Sequence, residues 1–305
     1  METKNLLDQL TFLDDDALIC SVYCLMKDET YRLNVNDSAL QKIAKSFRLS
    51  IKEKLNDDTR LKNIDNYNDE DAKSIHYFTL DNIIDDISNL FLMNDIKPFS
   101  DEMSNIESIV IKLNINEENY CLLYKKLAPI HLLQKDKLSM FSFNDGMLQE
   151  VSQDILKLDN NFHFLAIDKK VFIFNFNILE KYFKYEDVIL QKAKTNIELL
   201  ETIEFLEDLE KLKVLSKNKI FAKKLHNIHN SPVINIIKEN PSKVESFVNN
   251  HSELKDFFDI NNGKLYLKKQ TKKNAEKLIK LLNDDLIQSE LTDIMYETIN
   301  KEKMR

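Results

Sequence analysis

One segment, residues 162–185, constrains the fold more than any other part of the chain. It is the most apolar and aromatic run and reads FHFLAIDKKVFIFNFNILEKYFKY. On both sides of the polar break at 168–170, apolar residues occupy both alternating sets of positions, which predicts two strands covered on both faces and joined by a tight turn. Asn177 and Glu180 have capping-box spacing, which predicts that Asn177 caps a following helix.

Before this hairpin the pattern predicts mainly strands. Alternating apolar residues mark six candidate strands, at residues 18–26, 31–35, 109–113, 120–125, 138–143 and 155–158. Two helical stripes interrupt them. The first, which Asp37 is predicted to cap, consists of Leu40, Ile43, Ala44, Phe47 and Ile51. The second consists of Leu80, Ile83, Ile84, Ile87 and Phe91. Residues 144–146, Asn-Asp-Gly, predict a turn.

After Tyr185 the apolar period becomes helical. Successive stripes predict helices through residues 189–200, 206–212 and 221–228, and Asn240 before Pro241 predicts another helix start. Thr271 is predicted to cap a long helix that reaches Leu286, and Ser289 or Thr292 to cap a further one. Residues 261–263, Asn-Asn-Gly, predict a small hairpin. The fold class is therefore α+β: an antiparallel-rich mixed sheet with flanking helices in residues 1–185, then a mainly helical region in residues 186–305.

Composition excludes several protein classes. Gly146 and Gly263 are the only glycines, too few for a dinucleotide-binding fingerprint and wrongly spaced for a P-loop. No apolar run approaches the ~18–20 residues of a membrane span, and the first residues lack a signal-peptide core, so we expect a soluble cytoplasmic protein. Three cysteines (Cys20, Cys24, Cys121) predict reduced, buried thiols.

Catalytic and metal-binding patterns are weak. His226 and His229 have the spacing of metal ligands on one helix face, with His251 as a possible third, but isolated histidines are more common. Asp168 with the two lysines that follow resembles a nuclease element, although a hairpin turn uses the same residue types. Two acidic runs could hold magnesium, Asp14-Asp15-Asp16 and Asp284-Asp285. We favour a structural reading of each, and expect no cofactor, no metal and no enzymatic activity.

Charge is unevenly distributed and forms two lysine stripes. The net charge of −8 divides into −11 for residues 1–160 and +3 for residues 161–305. The first lysine stripe consists of Lys211, Lys213, Lys217, Lys219, Lys223 and Lys224, with no acid between them. The second consists of Lys264, Lys268, Lys269, Lys272, Lys273, Lys277 and Lys280, with Glu276 among them. Such stripes can neutralise nucleic-acid phosphates, but taken alone they are more typical of a solvated surface.

Residues 146–305 resemble the KwaB family of the Kiwa anti-phage defence system. The resemblance is carried by GML, ILKLD, FHFLAIDKKVFIFN and ILEKYFKY in that order, and by the tail LLNDDLIQSELTDIMYETINKEK. The matching positions are Glu180, Asp284, Asp285, Ser289, Leu291, Thr292, Tyr296 and Lys301. The resemblance implies a DNA-binding defence protein that works with a small membrane-protein partner and blocks phage DNA replication or transcription. No catalytic residue is carried over.

The resemblance changes the weight given to the stripes. For a DNA-binding family, phosphate contact becomes the better interpretation, through Lys217, Lys219, Lys223, Lys224, Lys268, Lys269, Lys272, Lys273 and Lys277. Binding would be largely independent of DNA sequence, a homodimer or higher oligomer would enlarge the basic surface, and the partner could recruit the protein to the inner face of the membrane. Two alternatives remain open: a metal-dependent nuclease that uses Asp168 or Asp284 and Asp285, and a non-enzymatic interaction protein that regulates a membrane effector.

Overall fold

The structure is a computed structural model of the full chain. It describes residues 19–27, 29–56, 59–64, 74–79, 96–99, 102–114, 120–135, 137, 140–226, 228–289, 291–292 and 294–298. The chain divides into two compact units, and among these residues the first unit ends at Phe183 and the second begins at Lys184. Two predictions, the helix through residues 80–91 and the acidic run at 14–16, lie outside the described residues.

The first unit is built on a nine-stranded mixed sheet. Its strands, in chain order, are β1 (Cys20–Met26), β2 (Glu29–Arg32), β3 (Arg60–Asn63), β4 (Ser74–Thr79), β5 (Lys97–Pro98), β6 (Ser108–Asn114), β7 (Tyr120–Lys126), β12 (Phe164–Ile167) and β13 (Lys170–Ile173). The spatial order is β3-β4-β13-β12-β7-β6-β1-β2-β5. Only the outer pairs β3–β4 and β2–β5 are parallel. The α+β class with an antiparallel-rich mixed sheet is confirmed.

Two small antiparallel sheets of two strands each accompany this sheet in the first unit. One pairs β8 (Leu132–Leu133) with β11 (Ile155–Leu156), and the other is the hairpin of β9 (Phe141–Asn144) and β10 (Met147–Glu150). The turn predicted at 144–146 is confirmed, since Asp145 and Gly146 connect β9 to β10 with φ of 52° and 79°. These left-handed values at both positions suit the two-residue turns of β-hairpins.

The predicted central hairpin is confirmed as β12–β13. Asp168 and Lys169 form its two-residue turn with φ of 47° and 61°, so the turn interpretation of this segment holds. The strands are buried, and their opposite faces pack against different partners. Phe164 stacks with Tyr124 and meets Phe183 edge-on, whereas Phe172 lies in the core that also contains Phe47 of the first helix.

Both predicted caps in this unit are displaced along the chain. Helix α1 (Asp37–Lys54) is capped by Asn36, whose Oδ1 accepts a hydrogen bond from the Ala39 amide at 2.9 Å, and not by Asp37. Either residue type can cap, and the one that precedes the first helical residue does so. The predicted core residues Ala44, Phe47 and Ile51 are buried.

The capping box predicted at Asn177 and Glu180 is wrong. Helix α2 (Phe176–Tyr182) begins two residues earlier than predicted, and Asn175 caps it by accepting a hydrogen bond from the Ile178 amide. Glu180 therefore lies inside the helix, where it is 4% exposed. Phe176 is the first helical residue, yet it continues the apolar pattern of β13. The sequence pattern therefore did not show where the strand ends and the helix begins.

The second unit contains helices and two hairpins. The helices are α3 (Tyr185–Glu201), α4 (Glu210–Ser216), α5 (Lys219–Leu225), α6 (Pro232–Glu239), α7 (Pro241–Asn250) and α8 (Lys272–Leu282). The hairpins pair β14 (Phe258–Asn261) with β15 (Lys264–Leu267) and β16 (Leu286–Gln288) with β17 (Met295–Glu297). The turn at 261–263 and the cap at Thr271 are confirmed. The last helix ends at Leu282, so the prediction that it reaches Leu286 is wrong.

Candidate nucleic-acid interface

The first lysine stripe lies on two short helices of the second unit. Its members are distributed over α4 (Lys211, Lys213), the C-cap of α4 (Lys217) and α5 (Lys219, Lys223, Lys224). Lys217 is exposed, whereas the three lysines of α5 are half-buried. Phe221, Ala222 and Leu225 form the buried side of α5, which leaves the lysines at its margins. The stripe is therefore an interrupted band and not a continuous open surface.

The second lysine stripe runs from β15 through a short connection into α8. Lys264 lies in β15, and Lys268 and Lys269 follow the strand. Lys272 and Lys273 form the first turn of α8, and Lys277 and Lys280 lie further along the same helix. Its apolar positions Ala275, Leu278, Ile279, Leu281 and Leu282 are buried, so the lysines occupy the remaining circumference.

Carboxylates from elsewhere in the fold pair with many of these lysines. The ion pairs are Lys213 with Glu201 and Glu210, Lys219 with Glu186 at 3.0 Å, Lys224 with Glu276 at 3.3 Å, Lys264 with Glu207, and Lys277 and Lys280 with Glu297. Most of these acids lie far from their partners in the sequence, so the lysine runs alone did not reveal the ion pairs. Each carboxylate offsets the charge of the lysine that it contacts, so the positive potential of both stripes is lower than their number of lysines indicates.

The two stripes meet at Glu276. Its Oε1 atom lies 3.3 Å from Lys224 Nζ of the first stripe and 4.0 Å from Lys272 Nζ of the second. Asn283, at the end of α8, also donates a hydrogen bond to the Lys224 carbonyl at 3.0 Å. These contacts place α5 beside α8, so both stripes belong to one region of the second unit.

Four lysines remain open to solvent around the start of α8. This open lysine cluster consists of Lys268, Lys269, Lys272 and Lys273, all exposed. Among the described residues, Lys272 is the one member with a carboxylate within 4.0 Å. Lys268 Nζ donates to the Lys255 carbonyl at 2.9 Å, and Lys273 Nζ lies 5.3 Å from the centre of the Phe257 ring. The cluster thus retains positive charge that local acids do not neutralise.

The position of the open lysine cluster on α8 is electrostatically unfavourable for an isolated helix. Thr271 caps α8 by accepting a hydrogen bond from the Asn274 amide at 3.2 Å, and the first turn contains no acid. The helix dipole places partial positive charge at this end, so cations here raise the energy and an anion lowers it. Lys272 and Lys273 therefore add to a field that favours phosphate binding.

Asp284 and Asp285 complete the C-terminal end of α8. Asp284 adopts a left-handed conformation, with φ of 62°, directly after the C-cap residue Asn283. The Asp284 amide donates to the Leu281 carbonyl at 3.1 Å and the Asp285 amide to the Lys280 carbonyl at 2.8 Å. This pair of hydrogen bonds is a Schellman motif. The motif explains why the helix stops before Leu286, because the left-handed residue turns the chain away from the helix axis.

The family-motif residues beyond α8 form the β16–β17 hairpin. The prediction that Ser289 or Thr292 caps another helix is wrong, since the Ser289 amide donates to the Ile294 carbonyl at 3.0 Å near the hairpin's end. Tyr296 pairs with Ile287 across the strands and is 48% exposed. Thr292 is also exposed. Glu180, which is buried on α2, belongs to the first unit, whereas Tyr296 and Thr292 belong to the second.

The histidines singled out in the sequence have different surroundings. His226 is buried at the end of α5 and His229 is exposed. His251, at the end of α7, is held between the Phe247 carbonyl, 2.5 Å from Nδ1, and Gln288 Oε1, 2.8 Å from Nε2. Within the described part of the chain, no group of three or more His, Cys, Asp or Glu residues could hold a metal ion. The three cysteines are buried and unbonded to one another, as predicted.

Sequence reasoning missed an exposed apolar hairpin in the first unit. In β9–β10, Phe143 pairs with Leu148, and these residues are 73% and 70% exposed. Phe141 lies on the same face and is 59% exposed. From Met140 to Leu156 the chain contains three acids and no lysine or arginine. The sequence clue to this exposed hairpin was the isolated FSFNDGML run, but its apolar alternation is equally typical of a buried strand.

The sequence also did not reveal a half-buried ion pair. Lys125 of β7, whose side chain is 3% exposed, donates from Nζ to Asp159 Oδ1 at 2.6 Å and to the Asn161 carbonyl at 3.0 Å. The other Asp159 oxygen lies 3.3 Å from His131 Nε2. Hydrogen bonds from Lys125 and the Asn161 amide outweigh burial and lower the pKa of Asp159. This cluster fastens the loop after β11 to the sheet, and nothing in it points to nucleic acid.

Comparison with known proteins finds a family match over most of the chain and a relative that aligns over its full length. Residues 103–292 match the family described as "Kiwa protein KwaB-like". The chain is 28% identical over 319 residues to the Kiwa protein KwaB of Escherichia coli O55:H7 (strain RM12579 / EPEC), an alignment that covers 100% of this chain and 99% of that protein. No solved structure matches. The described residues contain no helix long and apolar enough to cross a bilayer.

Proposed function

This chain belongs to the Kiwa protein KwaB-like family, which supports a role in anti-phage defence, and we propose that it performs that role by binding DNA without catalysis. In this proposal the bound protein obstructs replication or transcription of phage DNA. It acts in the cytoplasm with a small membrane-protein partner of the same system, which recruits it to the inner face of the membrane. A homodimer or higher oligomer would place a second basic surface on the same DNA.

The observation that carries the proposal is the open lysine cluster at the start of α8. Four exposed lysines near the positive end of a helix dipole, of which Lys272 alone has a described carboxylate within 4.0 Å, provide a field that attracts phosphate. A protein of net charge −8 can bind DNA only if its positive charge is segregated, and the excess of acid lies in residues 1–160. Lysine contacts to phosphate carry no base information, so binding should depend little on sequence.

The test is a salt titration of binding to a random-sequence DNA duplex. Each phosphate contact contributes a slope of about −0.9 to log affinity against log salt, so four to six contacts lower affinity by roughly two to three orders of magnitude between 50 and 200 mM salt. Changing Lys268, Lys269, Lys272 and Lys273 together to Glu should abolish binding. The fold should survive, because acids in the first turn of α8 suit the helix dipole.

A matched control separates the cluster from general electrostatics. Four exposed lysines of the first unit, Lys42, Lys45, Lys157 and Lys169, changed together to Glu give the same change in net charge. We expect this control to bind DNA within a few-fold of wild type. Wild-type affinity and salt slope in the open-cluster variant would contradict the proposed DNA face. Magnesium-dependent cleavage of plasmid DNA by the pure protein would contradict the absence of catalysis.

A second observation favours a protein-docking surface on the β9–β10 hairpin. Phe141, Phe143 and Leu148 share one exposed face, and Asp145 and Glu150 lie in the same hairpin, in a stretch of sequence from Met140 to Leu156 that has no lysine or arginine. Acids repel DNA phosphates and anionic lipid headgroups, so the apolar face suits a protein groove with basic borders. We assign this face to the partner protein of the defence system.

Co-purification with the co-expressed partner tests the assignment. Phe143→Ser with Leu148→Ser should abolish the complex, since aromatic and aliphatic anchors dominate such contacts. Both side chains are mainly exposed, so folding should be unaffected. The matched control is Ser142→Ala with Gln149→Ala, a cross-strand pair on the opposite face of the hairpin. Normal co-purification of the Phe143–Leu148 variant would rule out this face as the docking surface.

A further inference from the structure

Three lysines form a row along one side of α8. Lys273, Lys277 and Lys280 are spaced i, i+4 and i+7, which places them on one face of a helix. Lys273 belongs to the open lysine cluster, and its Nζ lies over the Phe257 ring at 5.3 Å. Lys277 Nζ lies over the same ring at 4.9 Å. The row therefore continues the open lysine cluster toward the C-terminal end of the helix.

One carboxylate covers the far half of this row. Glu297 Oε1 accepts a hydrogen bond from Lys277 Nζ, and Glu297 Oε2 accepts one from Lys280 Nζ. Two oxygens of a single anion thus bridge two ammonium groups, which is also how the non-bridging oxygens of a phosphodiester engage neighbouring lysines. These two hydrogen bonds lower the pKa of Glu297 to about 2, so the carboxylate remains charged throughout the neutral range.

Glu297 lies on a hairpin that is fixed at its base and open at its end. Leu286 is 6% exposed and Gln288 meets His251, so β16 is anchored to the unit. The Thr298 amide donates to the Asp285 carbonyl at 2.8 Å, which closes the base of the hairpin. Leu291, in contrast, is 96% exposed, and the side chain of Glu297 is 43% exposed. The Glu297 carboxylate and the Lys280 side chain, which is 36% exposed, are therefore accessible to solvent, whereas the Lys277 side chain is 16% exposed.

We propose that Glu297 occupies a phosphate-binding site formed by Lys277 and Lys280, and that a backbone phosphate of bound DNA replaces its carboxylate. This inference rests on the proposed DNA binding and adds that a carboxylate of the protein itself competes with DNA for the same lysines. Accessible ion pairs contribute little net stability, so a multivalent polyanion can displace a single carboxylate. With Glu297 in place the phosphate track ends at Lys273, and with Glu297 displaced it continues to Lys280.

The experiment compares wild type with Glu297→Gln in the same salt titration, with a random-sequence 20-base-pair duplex as the probe. The amide keeps the shape of the side chain and removes the charge that competes with phosphate. We expect affinity at 100 mM salt to rise about tenfold. Lys277→Gln with Lys280→Gln should cancel this gain when combined with Glu297→Gln, and should change wild-type affinity less. Glu210→Gln, which removes one acid from Lys213 on α4, should leave affinity within twofold.

Hydrogen exchange provides a second measurement on the same proteins. Addition of the duplex to wild type should speed amide exchange in β16–β17, because the Glu297 contacts that hold β17 on α8 are lost. Two results would overturn the inference and leave the proposed function standing. In the first, wild type binds the duplex and Glu297→Gln changes its affinity by less than twofold. In the second, the gain in affinity persists when Lys277 and Lys280 are also changed to Gln. Failure of both wild type and Glu297→Gln to bind the duplex would overturn the proposed function and this inference with it.

Discussion

Phe164 and Phe172 lie on opposite faces of the central hairpin and are 0% and 2% exposed. Truncation of either ring to Ala should lower the free energy of unfolding by roughly 3–5 kcal/mol, because the transfer free energy is lost and a cavity remains. Chemical denaturation of each single variant measures this. A loss below about 1 kcal/mol at both positions would show that the hairpin is not the core that its burial indicates.

His163 gives the first unit a pH-dependent stability. Its Nδ1 accepts a hydrogen bond from the Lys126 amide at 3.0 Å, and burial, with a smaller contribution from Lys125, lowers its pKa from 6.5 to about 4. Between these values the unfolded chain binds a proton and the folded protein does not. The contribution of His163 to the free energy of unfolding is therefore complete above pH 6.5 and is lost as pH falls toward 4.

Urea unfolding at pH 7.5, 6.5, 5.5 and 4.5 measures this effect. His163→Asn retains an acceptor for the Lys126 amide but does not titrate in this range. We expect the stability of wild type to fall more steeply than that of His163→Asn between pH 6.5 and 4.5, and the two curves to run parallel above pH 6.5. Parallel curves over the whole range would mean that His163 titrates normally in the folded protein.

At the scale of elements, the C-terminal end of α8 offers a direct test. Asp284 has φ of 62°, a conformation that glycine adopts without steric cost. Asp284→Gly should therefore raise the free energy of unfolding by 0 to about 1 kcal/mol. Its DNA affinity should stay within a few-fold of wild type. Thermal unfolding and the salt titration check both expectations. A folded Asp284→Gly protein that loses a magnesium-dependent nuclease activity would instead place the chain among the metal-dependent nucleases.

Some secondary-structure elements could be predicted from local sequence patterns, and others could not. The two-residue turns at 145–146 and 168–169 were predicted correctly because turn chemistry is local. Caps at Asn36 and Asn175 were missed by one or two residues because neighbouring Asn and Asp side chains compete for the same role. The β16–β17 hairpin was missed because a left-handed aspartate, which sequence does not distinguish from a helical one, ends α8.

The candidate site was predictable only in part, for a different reason. Lysine spacing indicated both stripes, but the acids that neutralise them come from distant positions, as with Lys219 and Glu186, 33 residues apart, or Lys224 and Glu276, 52 residues apart. Such pairs form only when helices pack. Exposure of the β9–β10 hairpin was equally hidden, because Phe143 and Leu148 have the pattern of a strand that packs on a core.

At the scale of the whole molecule, charge and apolar exposure are separated along the chain. The acidic β9–β10 hairpin belongs to the first unit and the open lysine cluster to the second. If the former binds the partner protein and the latter binds DNA, we expect mutation to separate the two activities, because each surface consists of exposed side chains of its own unit.

We therefore expect two distinct losses of function. Phe143→Ser with Leu148→Ser should bind DNA with the wild-type salt slope, fail to co-purify with the partner and fail to protect cells from phage. Reversal of Lys268, Lys269, Lys272 and Lys273 to Glu should keep the partner and also fail to protect, because the positive field that holds phosphate is gone. The measurements are phage plating efficiency, co-purification and DNA binding on the same variants. Protection by the lysine variant at wild-type level would show that defence does not require this DNA contact. Loss of both partner and DNA binding in either folded variant would show that the two surfaces are coupled and not independent.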